Sequence, residues 1–131
     1  MDFLTFANRV CQECVDHAAI RGVTIAVVVL DSTFSHAASM RMDGAYASAF
    51  ALARSKAWTA LNFGTSTAAM ADRVEPARGA MIAATEPNLL FLGGGDVLSH
   101  GGIVVGAVGV SGGTAAEDID IVARGIGSTL R

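Results

Sequence analysis

The chain has 131 residues, close to the commonest size of a single domain and enough to bury roughly two thirds of its unfolded surface without a disulfide or metal staple. Apolar residues make up 52% and charged residues 16%, against a usual charged share of about a quarter. That leaves little charge to coat a free monomer, so homo-oligomerisation is expected to cover part of the apolar surface. A net charge of −3 with no basic run lacks the phosphate-neutralising footprint of a nucleic-acid binder, and no nucleic-acid partner is expected.

The opening MDFLTFANRV is acidic at its start and has no basic n-region, so it does not read as a secretory signal and a cytoplasmic protein is expected. Phe3, Phe6, Val10, Cys14 and Ala18 recur at helical spacing, with Asp2 as N-cap and Gly22 as C-terminal stop. VTIAVVVLD follows, apolar on both faces as a central strand requires. Its run from Val23 to Leu30 is far too short to span a bilayer, and no membrane partner is expected. DSTF supplies a turn and SHAASM a neighbouring antiparallel strand. A long helix covers Ala45 to Leu61, with Asp43 suited to its start. Thr65 or Ser66 caps another helix, which Pro76 ends or disturbs. Leu89–Leu92 and Val97–His100 read as two short strands. The second turns at Gly101-Gly102 into a strong strand over Ile103–Val110. Thr114 and Glu117 form a capping box for a last helix lined by Ile119, Val122, Ala123 and Ile126. The expectation is one α+β domain over residues 1–131, with a single antiparallel sheet of about five strands flanked by helices.

Several motifs carry a bland and a chemical reading. Gly109-Val110-Ser111-Gly112-Gly113 matches a G-x-S-x-G nucleophile elbow, but His17, His36 and His100 all precede the serine. A sharp glycine turn into a capped helix explains it without catalysis. Gly93-Gly94-Gly95-Asp96 is either a turn or a backbone cradle that something bulky approaches; no Lys-Ser or Lys-Thr pair makes it a P-loop. Cys11 and Cys14 share one helix face with no second ligand pair, so packing accounts for them and no metal site is expected. The three histidines are structural or surface residues unless a metal macrocycle binds near one as axial ligand.

From Ala45 to Leu61 only Arg54 and Lys56 are charged. At about 100° per residue, Ser48, Ser55, Thr59 and Asn62 form a narrow polar stripe with Lys56 beside it, opposite Tyr46, Phe50, Ala53, Ala57 and Leu61. A lysine on such a face needs a partner, because an unpaired buried ammonium is costly. Two accounts fit. Arg41, Asp43 and Lys56 form a structural ion-pair network, or Arg41 and Lys56 donate to an anionic ligand.

RMDGAYASAFALARSKAWTA, FLGGGDVL and IVVGAVGVSGGTAAEDIDIV resemble the three signature stretches of the GlcG/HbpS-like haem-degrading-domain family, and also the C-terminal domain of PduO-type proteins. The likeness runs over nearly the whole chain, and the combination is specific where each piece alone is weak. It implies a five-stranded antiparallel sheet in a profilin-like three-layer arrangement, assembled into homo-oligomers. Some members of that family bind haem, some are fused beside corrinoid enzymes, and many belong to catabolic operons. The matching positions are Arg41, Asp43, Gly44, Ser48, Lys56, Thr59, Gly93–Gly95 and Ser111–Gly113. DSTFSHA departs from the family in lacking a turn glycine. The resemblance implies a small-ligand-binding protein with haem or a related tetrapyrrole as cofactor. Its expected ligand site comprises Arg41, Asp43, Ser48, Lys56, Gly93, Gly94 and Gly95. The alternative is an isomerase or lyase for a small carboxylated metabolite, with Arg41 gripping the carboxylate and Lys56 or Asp43 moving the proton.

Overall fold

The protein was analysed as a computed structural model that describes residues 2–129. In chain order the elements are α1 (Phe3–Arg21), β1 (Ala26–Asp31), β2 (His36–Arg41), α2 (Ala49–Phe63), α3 (Thr67–Arg73), α4 (Pro76–Thr85), β3 (Gly95–His100), β4 (Ile103–Ser111) and α5 (Ala115–Thr129). The strands form one antiparallel sheet in the order β2-β1-β4-β3. Helices α1 and α5 pack together on one face and α2 lies on the other. The α+β class and the flanked antiparallel sheet are as expected, but among the described residues the sheet has four strands, not five. Leu89–Leu92 is not a strand because its backbone finds other partners. Leu89 N–H bonds to Glu86 O at 3.0 Å, and Leu90 N–H bonds to Thr59 Oγ1 at 2.8 Å. Once α2 supplies that acceptor, ladder pairing is not needed to satisfy the amide.

Local signals at the ends of elements act as read. Asp2 accepts from Thr5 N–H at 2.8 Å, and Gly22 closes α1 at φ 73°. Ser66 caps α3 through Ala69 N–H, and α3 ends at Arg73, before Pro76; that proline then opens a further helix, α4, which the sequence reading did not separate. Gly101 and Gly102 turn with φ of 58° and 77°, the primed geometry that suits a twisted hairpin. Thr114 and Glu117 exchange backbone–side-chain bonds of 2.9 and 3.2 Å, a complete capping box. In the β1–β2 turn, where glycine is missing, Phe34 itself takes a left-handed φ of 65°. Asp31 Oδ1 holds that turn by accepting from Thr33 and Ser35 N–H. The Phe34 ring rests 4.6 Å from Trp58, so packing offsets a conformation that bulky side chains rarely adopt.

Two helices differ in phase from the sequence reading. Helix α2 starts at Ala49, with Ser48 in the cap position and no side-chain cap bond; Asp43 lies in the exposed turn before it. Its buried residues are Ala49, Ala53, Lys56, Ala57, Thr59 and Ala60, whereas Tyr46 and Phe50 are exposed. The cause is steric. A Cβ added at Gly109 would stand 1.9 Å from Ala53 O, so helix and strand meet backbone to backbone, leaving room only for small side chains. Helix α5 buries Asp118, Ile121, Val122, Gly125 and Thr129, leaving Ile119 and Ala123 exposed. Cys11 and Cys14 are fully buried and free. A Cβ at Gly125 would lie 2.4 Å from Cys14 Sγ, which shows how closely α1 and α5 cross.

Candidate functional site

Among the described residues Lys56 is the largest side chain buried to this degree, 1% exposed. Its ammonium donates to Val110 O at 2.9 Å and to Asp118 Oδ2 at 3.0 Å. The other carboxylate oxygen, Oδ1, accepts from Gly113 N–H at 3.0 Å. A residue of α2 therefore ties the end of β4 to the first turn of α5 around the end of the sheet. Burial lowers the lysine's pKa from its ordinary value, and the Asp118 charge opposes that shift. A buried charge that is both paired and hydrogen-bonded holds its neighbours in register; losing either partner leaves the other stranded.

The glycine loop is built around this junction. A Cβ at Gly94 would stand 2.6 Å from Val110 O and 3.0 Å from Lys56 Nζ, and one at Gly95 would stand 2.4 Å from Lys56 O. Gly93 is crowded by the Ile119 side chain. Gly95 N–H bonds to Thr67 Oγ1 at 2.9 Å, and Val110 N–H to Gly94 O at 2.8 Å. The three glycines let α2, α5 and the α3 start converge on one backbone segment.

The structure thus brings together Lys56, Gly93, Gly94 and Gly95. It does not bring Arg41 or Asp43 into that cluster. Arg41 ends β2, at the opposite edge of the sheet from β3, and its guanidinium donates to Ala45 O. Asp43 and Ser48 are exposed. The acid paired with Lys56 is Asp118, which corrects the expected Arg41–Asp43–Lys56 network. Sequence reasoning missed Asp118 because that stretch was read only for the Thr114–Glu117 capping box and the apolar face of the helix that follows. The signal was available: a lysine in an almost uncharged helix demands a carboxylate, and Asp118 follows the glycine-rich approach to α5.

Beside the loop, Asp96 is partly buried with no cation partner among the described residues, and burial raises its carboxyl above the usual range. Ser111 is buried at the end of β4 and bonds to none of the histidines. His17 Nε2 lies 2.9 Å from Ser128 Oγ, His36 Nε2 lies 2.9 Å from Ser39 Oγ, and His100 is exposed at the β3–β4 turn. Burial pushes the Cys11 thiol up to about 12 and Cys14 higher still, so neither is a ready thiolate. Among the described residues no group of three or more His, Cys, Asp or Glu could hold a metal ion, and no helix is long and apolar enough to cross a membrane.

Fold and junction together define a three-layer α+β domain in which a buried lysine–aspartate pair anchors a glycine loop at the sheet's end. The chain belongs to the HbpS-like family of haem-degrading proteins, whose model matches residues 4–127. It is 32% identical over 123 residues to the corrinoid adenosyltransferase PduO of Salmonella typhimurium, an alignment covering 91% of this chain and 36% of the relative. The chain therefore spans about a third of the length of that curated protein. Among solved structures, Klebsiella pneumoniae protein ORFY superposes with a TM-score of 0.90 at 26% identity, covering 97% of this chain and 89% of that one. A PduOC:haem complex superposes with a TM-score of 0.88 at 28% identity, covering 98% and 94%.

Proposed function

We propose that this is a cytoplasmic, homo-oligomeric small-ligand-binding protein that takes haem or a related tetrapyrrole and is accessory to a catabolic pathway. The observation that carries the reading is the likeness, over nearly the whole length of both chains, to the PduOC:haem complex. The donor set here fits the group. His17, His36 and His100 all reach the surface, whereas both cysteines are sealed in the core, so ligation would fall to imidazole rather than thiolate. Haem, when bound, supplies a redox-active iron. Arg41 and Ser48, both exposed, would offer donors to the ligand's carboxylates. Asp43 would orient Arg41, and Lys56 would act from within by holding Gly93–Gly95 in place. Titration of the purified protein with hemin should give a saturable Soret shift that at least one histidine substitution abolishes. A linear, featureless response, the same in every histidine variant, would overturn the reading.

A second reading, an isomerase or lyase acting on a small carboxylated metabolite, is favoured by one observation: burial lowers the Lys56 pKa, the usual route to a basic amine near neutral pH. In that scheme Arg41 binds the carboxylate and Lys56 or Asp43 moves the proton, which requires the sealed ammonium to open toward substrate. A metabolite screen that finds a substrate, followed by comparison with folded Lys56→Met and Asp43→Asn proteins, tests it. Undiminished turnover in both removes these residues from the chemistry.

A further inference from the structure

Helix α4 is ten residues long, carries one charge, Arg78, and buries only Gly79. That glycine is held by the Phe91 ring and Val74, which a Cβ would meet at 3.3 and 3.4 Å. Ala77, Ala80, Met81 and Ala84 are exposed, Met81 to 73%. Isolated helices of this length are marginal in water, and one that is apolar on nearly all sides gains its stability from packing. A shallow, open depression lies along it, lined by Arg78, Met81, Ile82, Thr85 and Glu86. Every one of these residues belongs to α4 or its C-cap, at offsets of three, four, seven and eight from Arg78. That is the seam spacing of one helix against another, with one wall of the groove missing.

We propose that the missing wall is α4 of a second copy, packed antiparallel about a two-fold axis at Ile82. This rests on the homo-oligomer reading above and names its surface. Charge complementarity selects the occupant. Arg78 and Glu86 stand four residues to either side of Ile82, and neither forms an ion pair among the described residues. A two-fold axis at Ile82 sets Arg78 of each copy opposite Glu86 of the other, giving two ion pairs that flank an apolar centre of exposed Met81 and half-buried Ile82. The Phe63–Phe91 ring pair, 5.9 Å between centroids, supports the helix from behind. A self-complementary patch of this kind is what an isologous interface requires.

Sedimentation of the full chain across a concentration series, with Arg78→Glu, Glu86→Arg and the double exchange, tests the pairing. Each single variant sets like charges together twice and should weaken association by about 10-fold or more, and the double exchange should restore it. Ile82→Cys should cross-link to itself under mild oxidation. Association unchanged in both single variants overturns the α4 pairing while leaving homo-oligomerisation standing, and a monomer at every concentration overturns both. Hemin titration of the same variants, read separately, bears only on the ligand.

Discussion

Helices α2 and α4 are both nearly stripped of charge, yet they meet opposite fates in the single chain. Helix α2 carries Arg54 and Lys56, and both are answered within the chain. Arg54 lies 5.1 Å from the Trp58 ring centroid and donates to Asn88 at 3.1 Å, while Lys56 is sealed against Asp118. Its alanines lie on Gly109 of β4 so closely that one methyl would collide with Ala53 O. Helix α4 carries Arg78 alone and covers little beyond Gly79. Scarcity of charge therefore marks a helix that must be covered, and it does not say by what. The cover of α2 is the protein's own sheet, reached through glycine.

The largest effect expected from breaking this contrast is at Lys56. Lys56→Met leaves the Asp118 carboxylate buried without its cation and should cost about 3–5 kcal/mol in urea unfolding. Replacing both partners, Lys56→Met with Asp118→Leu, should recover much of that loss. A double variant no better than the single would mean that the pair does not act as a unit. Next comes Gly109→Ala, expected to cost about 3 kcal/mol, the upper end of overpacking, because the obstacle is backbone on both sides. A cost under about 1 kcal/mol would show that α2 can ride away from the sheet, and the distinction from α4 would weaken.

Much of this arrangement was legible in the residues, for local reasons. The caps of α1, α3 and α5, the Gly101-Gly102 turn and the β-branched β1 run are decided by neighbours in sequence and lie where they were read, whereas Asp43 is left outside α2, which starts at Ala49. What stayed hidden was decided at long range. Leu89–Leu92 has the composition of a strand, but Thr59 of α2 takes its amide. The faces of α2 and α5 turned on two facts with no short-range sign: Gly109 opposite Ala53, and Asp118 turned inward to Lys56. The grouping of Lys56 with Gly93–Gly95 was readable as shared motif material. The separation of Arg41 from them was not, because it depends on strand order. Phe34 shows the reverse case, a position where the missing glycine was visible and the Trp58 contact that offsets it was not.

On α4 the expected stability effects are small and the assembly effects are not. Ile82→Asn should cost the monomer about 1 kcal/mol, as for a half-buried apolar side chain, while shifting sedimentation toward the single chain. A large loss of stability with unchanged sedimentation would place the cover of Ile82 inside the chain and make α4 resemble α2.

The smallest effect concerns the other partly buried charge near the glycine loop, which lacks the counter-ion that Lys56 has. Burial raises the Asp96 carboxyl above its unfolded value of 3.8. Between those two values the folded state holds more protons than the unfolded one, so this group's contribution to stability falls as pH rises through the window and stays low at pH 7. Asp96→Asn removes a charge that no cation among the described residues pairs, its Oδ1 accepting only from Val97 N–H at 2.8 Å, and it should raise Tm at pH 7 by about 2 °C. The gain should vanish below pH 3.8, where the wild-type carboxyl is also neutral. Comparing variant with wild type at each pH cancels the opposite trend of Asp2, Asp31, Glu117 and Asp120, whose pKa values are lowered by hydrogen bonds. A drop in Tm at pH 7 would mean that the carboxylate does find a cation, supplied from outside the chain. Asp96 would then join Lys56 as a charge that is held rather than tolerated.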